Sequence, residues 1–251
     1  MGKNSKIDWC DHTWNPWHGC RKVSAGCQNC YMYRDKKRFG SDPEKVIRAT
    51  VPTFTLPLRI KEPSRIFVCS WSDFFIEDAD EWRDEAWEIM HRRPDLTFLI
   101  LTKRPENISS RLTYGWPLPN VWLGVTAENQ EMADKRIPIL LQIPAVVRFV
   151  SVEPMLGEMS FRWGGGIDYS SRKVSNEYDA LRTLDWVIVG GESGPNARKM
   201  QPEWAAEIKR QCKAAGVPFF MKQMSGKDKK NRHAIPDYLN VREFPNTGAV
   251  I

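Results

Sequence analysis

Long apolar runs are missing from this chain of 251 residues: the longest, "FLIL" at 98–101 and "WVIVGG" at 186–191, stop far short of the ~20 residues a bilayer span needs. No membrane partner is expected. The opening residues "MGKNSKIDWC" hold no apolar signal region, and Lys6 stands where a myristoylation start wants Ser or Thr, so the expected compartment is the cytoplasm. Cysteine is scarce. Six in a chain of this size cannot make a disulfide scaffold, and their clustering points instead to metal binding or redox chemistry. A strong charge of one sign is also lacking: 37 Lys and Arg face 31 Asp and Glu, and the net +6 is compatible with a polyanionic partner without establishing one. There is neither a Walker loop nor an H-E-x-x-H helix, and "GGGID" at 164–168 lacks the dinucleotide fingerprint. Phosphate-loop and zinc-protease chemistry are disfavoured. No solenoid repeat or low-complexity tract interrupts the chain.

What is present is one order of elements, repeated. "SRIFVCSWSDFF" leads into "DADEWRDEAWEIMHRRP", where Trp82, Ala86, Trp87 and Met90 fall at helical spacing and Asp78 or Asp80 stands ready to cap. Then come "LTFLILTKRPEN", "NVWLGVTAEN" with helical "QEMADKRIPILLQ", "VVRFVSVEPML", "DWVIVGGESG" with helical "QPEWAAEIKRQCKAAG", and "VPFFMKQ". Nearly continuous apolar strands that alternate with helices call for a parallel sheet covered on both faces. Polar residues follow each apolar run, and in a barrel those strand ends converge on one face. The expectation is an α/β fold over residues 1–251, a single-domain partial (β/α) barrel with six or seven parallel strands. It would carry an N-terminal metal-cluster loop at 14–38 and a basic C-terminal tail at 225–251 packed over the barrel. Residues 34–64 and 157–184 do not fit the β-α count and are expected to be insertions or lids.

The densest chemistry lies in "WNPWHGCRKVSAGCQNCYMYRDKKR". Cys27 and Cys30 enclose two residues, which lets both sulfurs face one centre. Six residues separate Cys27 from Cys20, on a loop with Gly19 and Gly26 that can fold back through positive φ. Three thiolates can hold an iron-sulfur cluster with one iron left open. The alternative is zinc, with Cys10, His12 or His18 as the fourth ligand, in a nucleic-acid-binding or interaction protein without catalysis.

Cys27-Gln28-Asn29-Cys30-Tyr31, placed early in a β/α chain, resembles the cysteine loop of the radical S-adenosylmethionine enzymes. Together with "LTKRPEN", "NVWLGVTAEN", "SVEPML" and "VIVGGESG", "TWNPWHGCRKVSAGCQNCY" also resembles the phage Gp37/Gp68 proteins, a group of unknown function. The wider resemblance implies a [4Fe-4S] cluster on Cys20, Cys27 and Cys30. It further implies S-adenosylmethionine bound at the open iron, an electron donor, and Tyr31 beside the adenine. The chain departs from that pattern in the six-residue gap between the first two cysteines, and in "CSWSD" where a Gly-Gly-Glu would follow the second strand.

The remaining candidates sit at strand ends. Glu192, after Gly190 and Gly191, can accept from the cofactor's ammonium group. Ser70 and Asp73 can hold its amino-acid part or ribose. Lys103 and Arg104 bring positive charge suited to a carboxylate or phosphate, and Glu153 can orient hydroxyls. Trp14, Trp17 and Trp71 are candidates to stack on adenine or a nucleobase. Cys69 and Cys212, in apolar surroundings, read as core. The basic excess and the interleaved aromatics make a nucleotide or nucleic acid the expected substrate class.

Overall fold

The computed structural model describes residues 5, 7–163, 167–168, 173–174, 178–228 and 234–246. Its centre is a sheet of seven strands: β1 (His12–Trp14), β2 (Arg65–Val68), β3 (Thr97–Thr102), β4 (Val121–Thr126), β5 (Val147–Val152), β6 (Trp186–Gly190) and β7 (Phe219–Gln223). They lie side by side in chain order, and every pairing is parallel. β1 and β7 do not pair with each other, so the sheet curls into a half-barrel with two open edges. This is the expected partial barrel at the upper strand count. β1 was not anticipated, because three residues reading "HTW" carry too short an alternation to register as a strand.

Alternation along the strands sorts the side chains between two cores. Phe67, Leu99, Trp122 and Val147 are successive register partners, and with Phe149, Trp186, Ile188 and Phe220 they fill the concave side. Trp9 closes this floor from the N-terminal segment, where it packs 4.6 Å from Phe67, and Phe244 closes it from the C-terminal segment, 5.3 Å from Trp186. The convex side, with Ile66, Phe98, Ile100, Leu123, Val150, Val187 and Phe219, packs under the helices.

The helices are α1 (Tyr31–Arg38), the single turn α2 (Val51–Phe54), α3 (Asp80–His91), α4 (Gln130–Leu141) and α5 (Pro202–Ala215). α3 buries Ala86, Trp87 and Met90 as their spacing predicts. Its caps differ from expectation: Asp78 pairs with Arg21, and Asp80 with Arg83 and Arg111, so neither closes the helix N-terminus. Asn129 does cap α4, by accepting from Met132 N at 3.0 Å. α5 ends on Gly216 in the left-handed conformation that favours glycine.

Residues 34–64 are no lid. Phe54 is fully buried against Trp14, and Ile47–Arg48 pairs antiparallel with Trp17–His18. The second insertion, 157–184, lies partly outside the described residues, and so does part of the "WGGG" stretch. The described part of the tail runs along the edge of β7, where Met221 N donates to Val241 O at 2.8 Å. Its start, Ser225–Gly226, stays at the strand-end side, where Gly226 N donates to Glu192 O at 3.0 Å, and its later part reaches the barrel floor through Phe244.

Candidate functional site

Above the aromatic floor the half-barrel opens into a cavity of about 1100 Å³ at the C-terminal ends of the strands. Cys20, Cys27 and Cys30 all line it, together with Tyr31, Ser70, Asp73, Lys103 and Glu153 from the sequence-derived set. Gly190, Gly191 and Glu192 do not. Trp71 lines the wall as well, whereas Trp14 and Trp17 are fully buried and donate from their indole nitrogens to Phe54 O and Asp73 O. Those two tryptophans are packing residues and stack on no ligand.

Strand-end side chains hold the cysteine loop across this mouth. From the β2 end, Ser72 Oγ donates to Gly19 O at 2.6 Å, Trp71 O accepts from Gly19 N at 3.0 Å, and the Tyr31 hydroxyl donates to Ser70 O. After β3, Arg104 donates to Arg21 O at 3.0 Å and to Cys20 Sγ at 3.7 Å. From the β4 end, Glu128 Oε1 accepts from Gly26 N at 2.9 Å while its Oε2 accepts from Arg136 at 2.9 Å. Beyond β6, Glu192 accepts from Asn29 Nδ2 at 2.9 Å and is paired with Arg198, which also donates to Gln28 at 3.2 Å. The backbone agrees with half of the glycine argument. Gly19 has φ +105, but Gly26 is needed for a different reason: a Cβ there would lie 2.9 Å from the Glu128 carboxyl carbon.

Within the chain Glu192 acts as a clamp on the loop. Both of its oxygens are engaged within the chain. Burial alone would raise its pKa, but Arg198 and Asn29 outweigh that and hold it below the usual carboxylate range. Glu128 behaves alike. Burial opposes its charge, yet it is held low by the Ser24 hydroxyl, which lies nearby without a well-directed hydrogen bond, by Arg136 and by the Gly26 N–H.

Asp73 lines the cavity, but it is satisfied from within. Its Oδ1 accepts from Thr102 Oγ1 at 2.7 Å and Phe75 N at 3.0 Å, its Oδ2 accepts from Lys103 N at 2.9 Å, and Arg104 stands 3.6 Å away. It shapes the strand end. Ser70 Oγ likewise pairs with Asn15 Nδ2 at 3.0 Å. Lys103 Nζ meets only Thr126 Oγ1, at 3.4 Å, and has no carboxylate partner among the described residues. Glu153 Oε2 accepts from Ser151 Oγ at 3.0 Å. Lys222 Nζ stands 2.8 Å from Glu153 Oε1 as an ion pair, in a direction that leaves this oxygen without a hydrogen bond. Gly190 makes room for that group, since a Cβ there would lie 2.5 Å from Glu153 Oε1.

Cys69 is more than core. It lines the cavity at 3% exposure, and its φ of +60 is the only positive value among the described non-glycine residues. For a side chain with a Cβ that conformation is costly, and it turns the chain so that Ser70–Asp73 enters the mouth. Cys10 sits in the floor with its thiol on Ser5, pushed up to about 11 by burial, and it does not line the cavity.

Among the described residues, no group of three or more His, Cys, Asp or Glu is gathered tightly enough to hold one metal ion. A single zinc draws its ligands to within about 4 Å of each other, whereas a cubane cluster asks each thiolate to reach a different iron. Cys20, Cys27 and Cys30, which line one cavity without being drawn onto a single point, are the residues that could hold either group. Burial is the main cause that raises the Cys20 thiol to about 12, with Asp73 adding to it and Arg104 opposing it, so a metal must displace its proton. Trp9 Nε1 and Glu153 Oε1, both buried on the cavity wall without a hydrogen bond, offer a polar ligand a donor and an acceptor.

The family model described as "Protein of unknown function (DUF5131)" matches residues 4–244. The chain belongs to this family. No curated protein and no solved structure matches it. The family description carries no activity.

Proposed function

We propose that this DUF5131 chain is a radical S-adenosylmethionine-like iron-sulfur enzyme, with Cys20, Cys27 and Cys30 as the cluster ligands. One observation carries the proposal: the three cysteines and the polar strand ends of a parallel half-barrel line a single cavity. Such a cluster, when bound and reduced by an external donor, supplies the one electron that breaks a carbon-sulfur bond of S-adenosylmethionine and opens radical chemistry on a substrate.

The chain's own residues do the rest. Arg104 holds Cys20 through a charge-assisted contact and fixes the loop by its bond to Arg21 O. The Tyr31 phenol, tied to Ser70 O, sets the start of α1 against β2 and leaves its ring on the cavity lining, where it would be one of the residues to hold an adenine. Lys103, with no carboxylate to neutralise it, offers its ammonium to an anionic group. Glu153 and Lys222 present an acceptor and a donor side by side. The aromatic floor excludes water from below.

The test is electron paramagnetic resonance of the reduced, anaerobically reconstituted protein. Addition of S-adenosylmethionine should change the spectrum, because its amino and carboxylate groups add ligands to one iron, and dithionite should then release a cleavage product. A fully loaded protein whose spectrum ignores S-adenosylmethionine, and which releases nothing, overturns the proposal.

A further inference from the structure

The net charge of +6 is not spread over the molecule. Residues 21–48 contain eight Lys or Arg against three Asp or Glu, a net +5 of that +6. This stretch is the cysteine loop, α1 and the turn after it, so the charge is concentrated at the cavity mouth. Arg21 and Arg48 are spent on Asp78 and Glu85, and Lys36 is buried, donating to the carbonyls of Asp42 and Lys45. Lys22, Lys37, Arg38 and Lys45 are exposed with no carboxylate partner among the described residues, and Arg34 touches only its neighbour Asp35, at 3.5 Å. Uncompensated cations on one face favour a polyanion.

The patch is also continuous with the cavity. Lys22, Tyr31, Tyr33 and Arg34 line the cavity, while Lys37, Arg38 and the 73%-exposed ring of Phe39 carry the same surface outward along α1. Cations on the rim, an exposed aromatic ring beside them, and a cavity of mixed polar and apolar lining, in which Lys103 has no carboxylate partner among the described residues, match what a nucleotide chain presents. Its phosphates run along the rim, its bases have flat faces, and one unit can be turned inward. A base held in a duplex would not reach the floor.

We infer that α1 and the adjoining loop bind the sugar-phosphate backbone of a single-stranded nucleic acid and lead one nucleotide into the cavity. The inference names the substrate class for the radical reading and rests on it for the chemistry, though not for the binding.

The experiment is fluorescence anisotropy with a labelled oligonucleotide of about 20 nucleotides, on protein purified in air and free of iron, across a range of salt. Binding should weaken with salt at a log-log slope of about −3, as expected for about four phosphate contacts on a single strand. Changing Arg34, Lys37 and Arg38 together to Glu should lower affinity at least ~10-fold and flatten the slope, whereas Lys61→Glu with Lys135→Glu, on exposed sites elsewhere, should not. Melting temperatures of both variants report that the fold is intact. Unchanged binding by the triple variant overturns the inference. So does a preference for duplex, or displacement by polyglutamate as readily as by unlabelled strand, which would mark the patch as a surface for an acidic protein. Because no cluster is present, failure here leaves the iron chemistry standing, and failure to load iron leaves this binding standing.

Discussion

Floor and mouth of the half-barrel are made by the same strands in opposite ways. At the floor, Trp122, Phe149, Trp186 and Phe220 meet ring to ring, with Trp186 at the centre, 5.7–5.9 Å from each of the other three. At the mouth the inward positions turn polar, and what holds the cysteine loop is a set of ion pairs and hydrogen bonds from β2, β3, β4 and β6. The floor stabilises by area removed from water, which tolerates small errors of direction. The mouth depends on direction, since a buried carboxylate that misses its partner is left costly. Stability should therefore reside below and function above.

Substitutions can break that division. Trp186→Ala removes the hub of the floor and should cost about 3–5 kcal/mol in urea unfolding, the largest effect expected of any single change here. Glu128→Ala strands the buried Arg136 cation and releases Gly26. It should cost about 3 kcal/mol, and unlike the floor variant it should expose Cys27 and Cys30 to thiol reagents before global unfolding. Equal protection of the loop in both variants would erase the contrast.

A gentler probe is pH. Glu128 and Glu192 are held below their ordinary range by their partners, so the stability they lend the loop is complete above about pH 4.3 and is lost as pH falls through their lower folded values. Thermal unfolding should lose its mouth-dependent part below about pH 4, and Glu192→Gln should remove much of that dependence. Smallest of all should be Gly190→Ala, which crowds Glu153 Oε1 and should cost about 1 kcal/mol, with its main trace in ligand affinity.

The floor was legible in the sequence because apolar runs such as "FLIL" and "WVIVG" announce buried parallel strands directly. The three cysteines were legible from spacing, and so was the gathering of Ser70, Asp73, Lys103 and Glu153 at one face. Roles at the mouth were not, because they depend on which partner the fold delivers. Glu192 looks like a free acceptor until the turn through Gly194 brings Arg198 onto it. Arg136 did leave a signal that was missed. It lies between Ala133 and Leu140 on the buried face of α4, where a cation must have a carboxylate, and Glu128 is eight residues away. Nothing in "VCSWSD" announces the left-handed backbone at Cys69.

The proposed iron-sulfur chemistry requires the loop held across the mouth to present three thiolates to one cluster. Iron and acid-labile sulfide analysis after anaerobic reconstitution tests it most directly, on the wild-type chain beside Cys20→Ala, Cys27→Ala, Cys30→Ala and Cys69→Ala. Wild-type and Cys69→Ala protein should hold about four irons and four sulfides per chain, and each of the other three should lose them. Stoichiometric zinc in place of iron, or iron retained by Cys27→Ala, would rule out this ligand set.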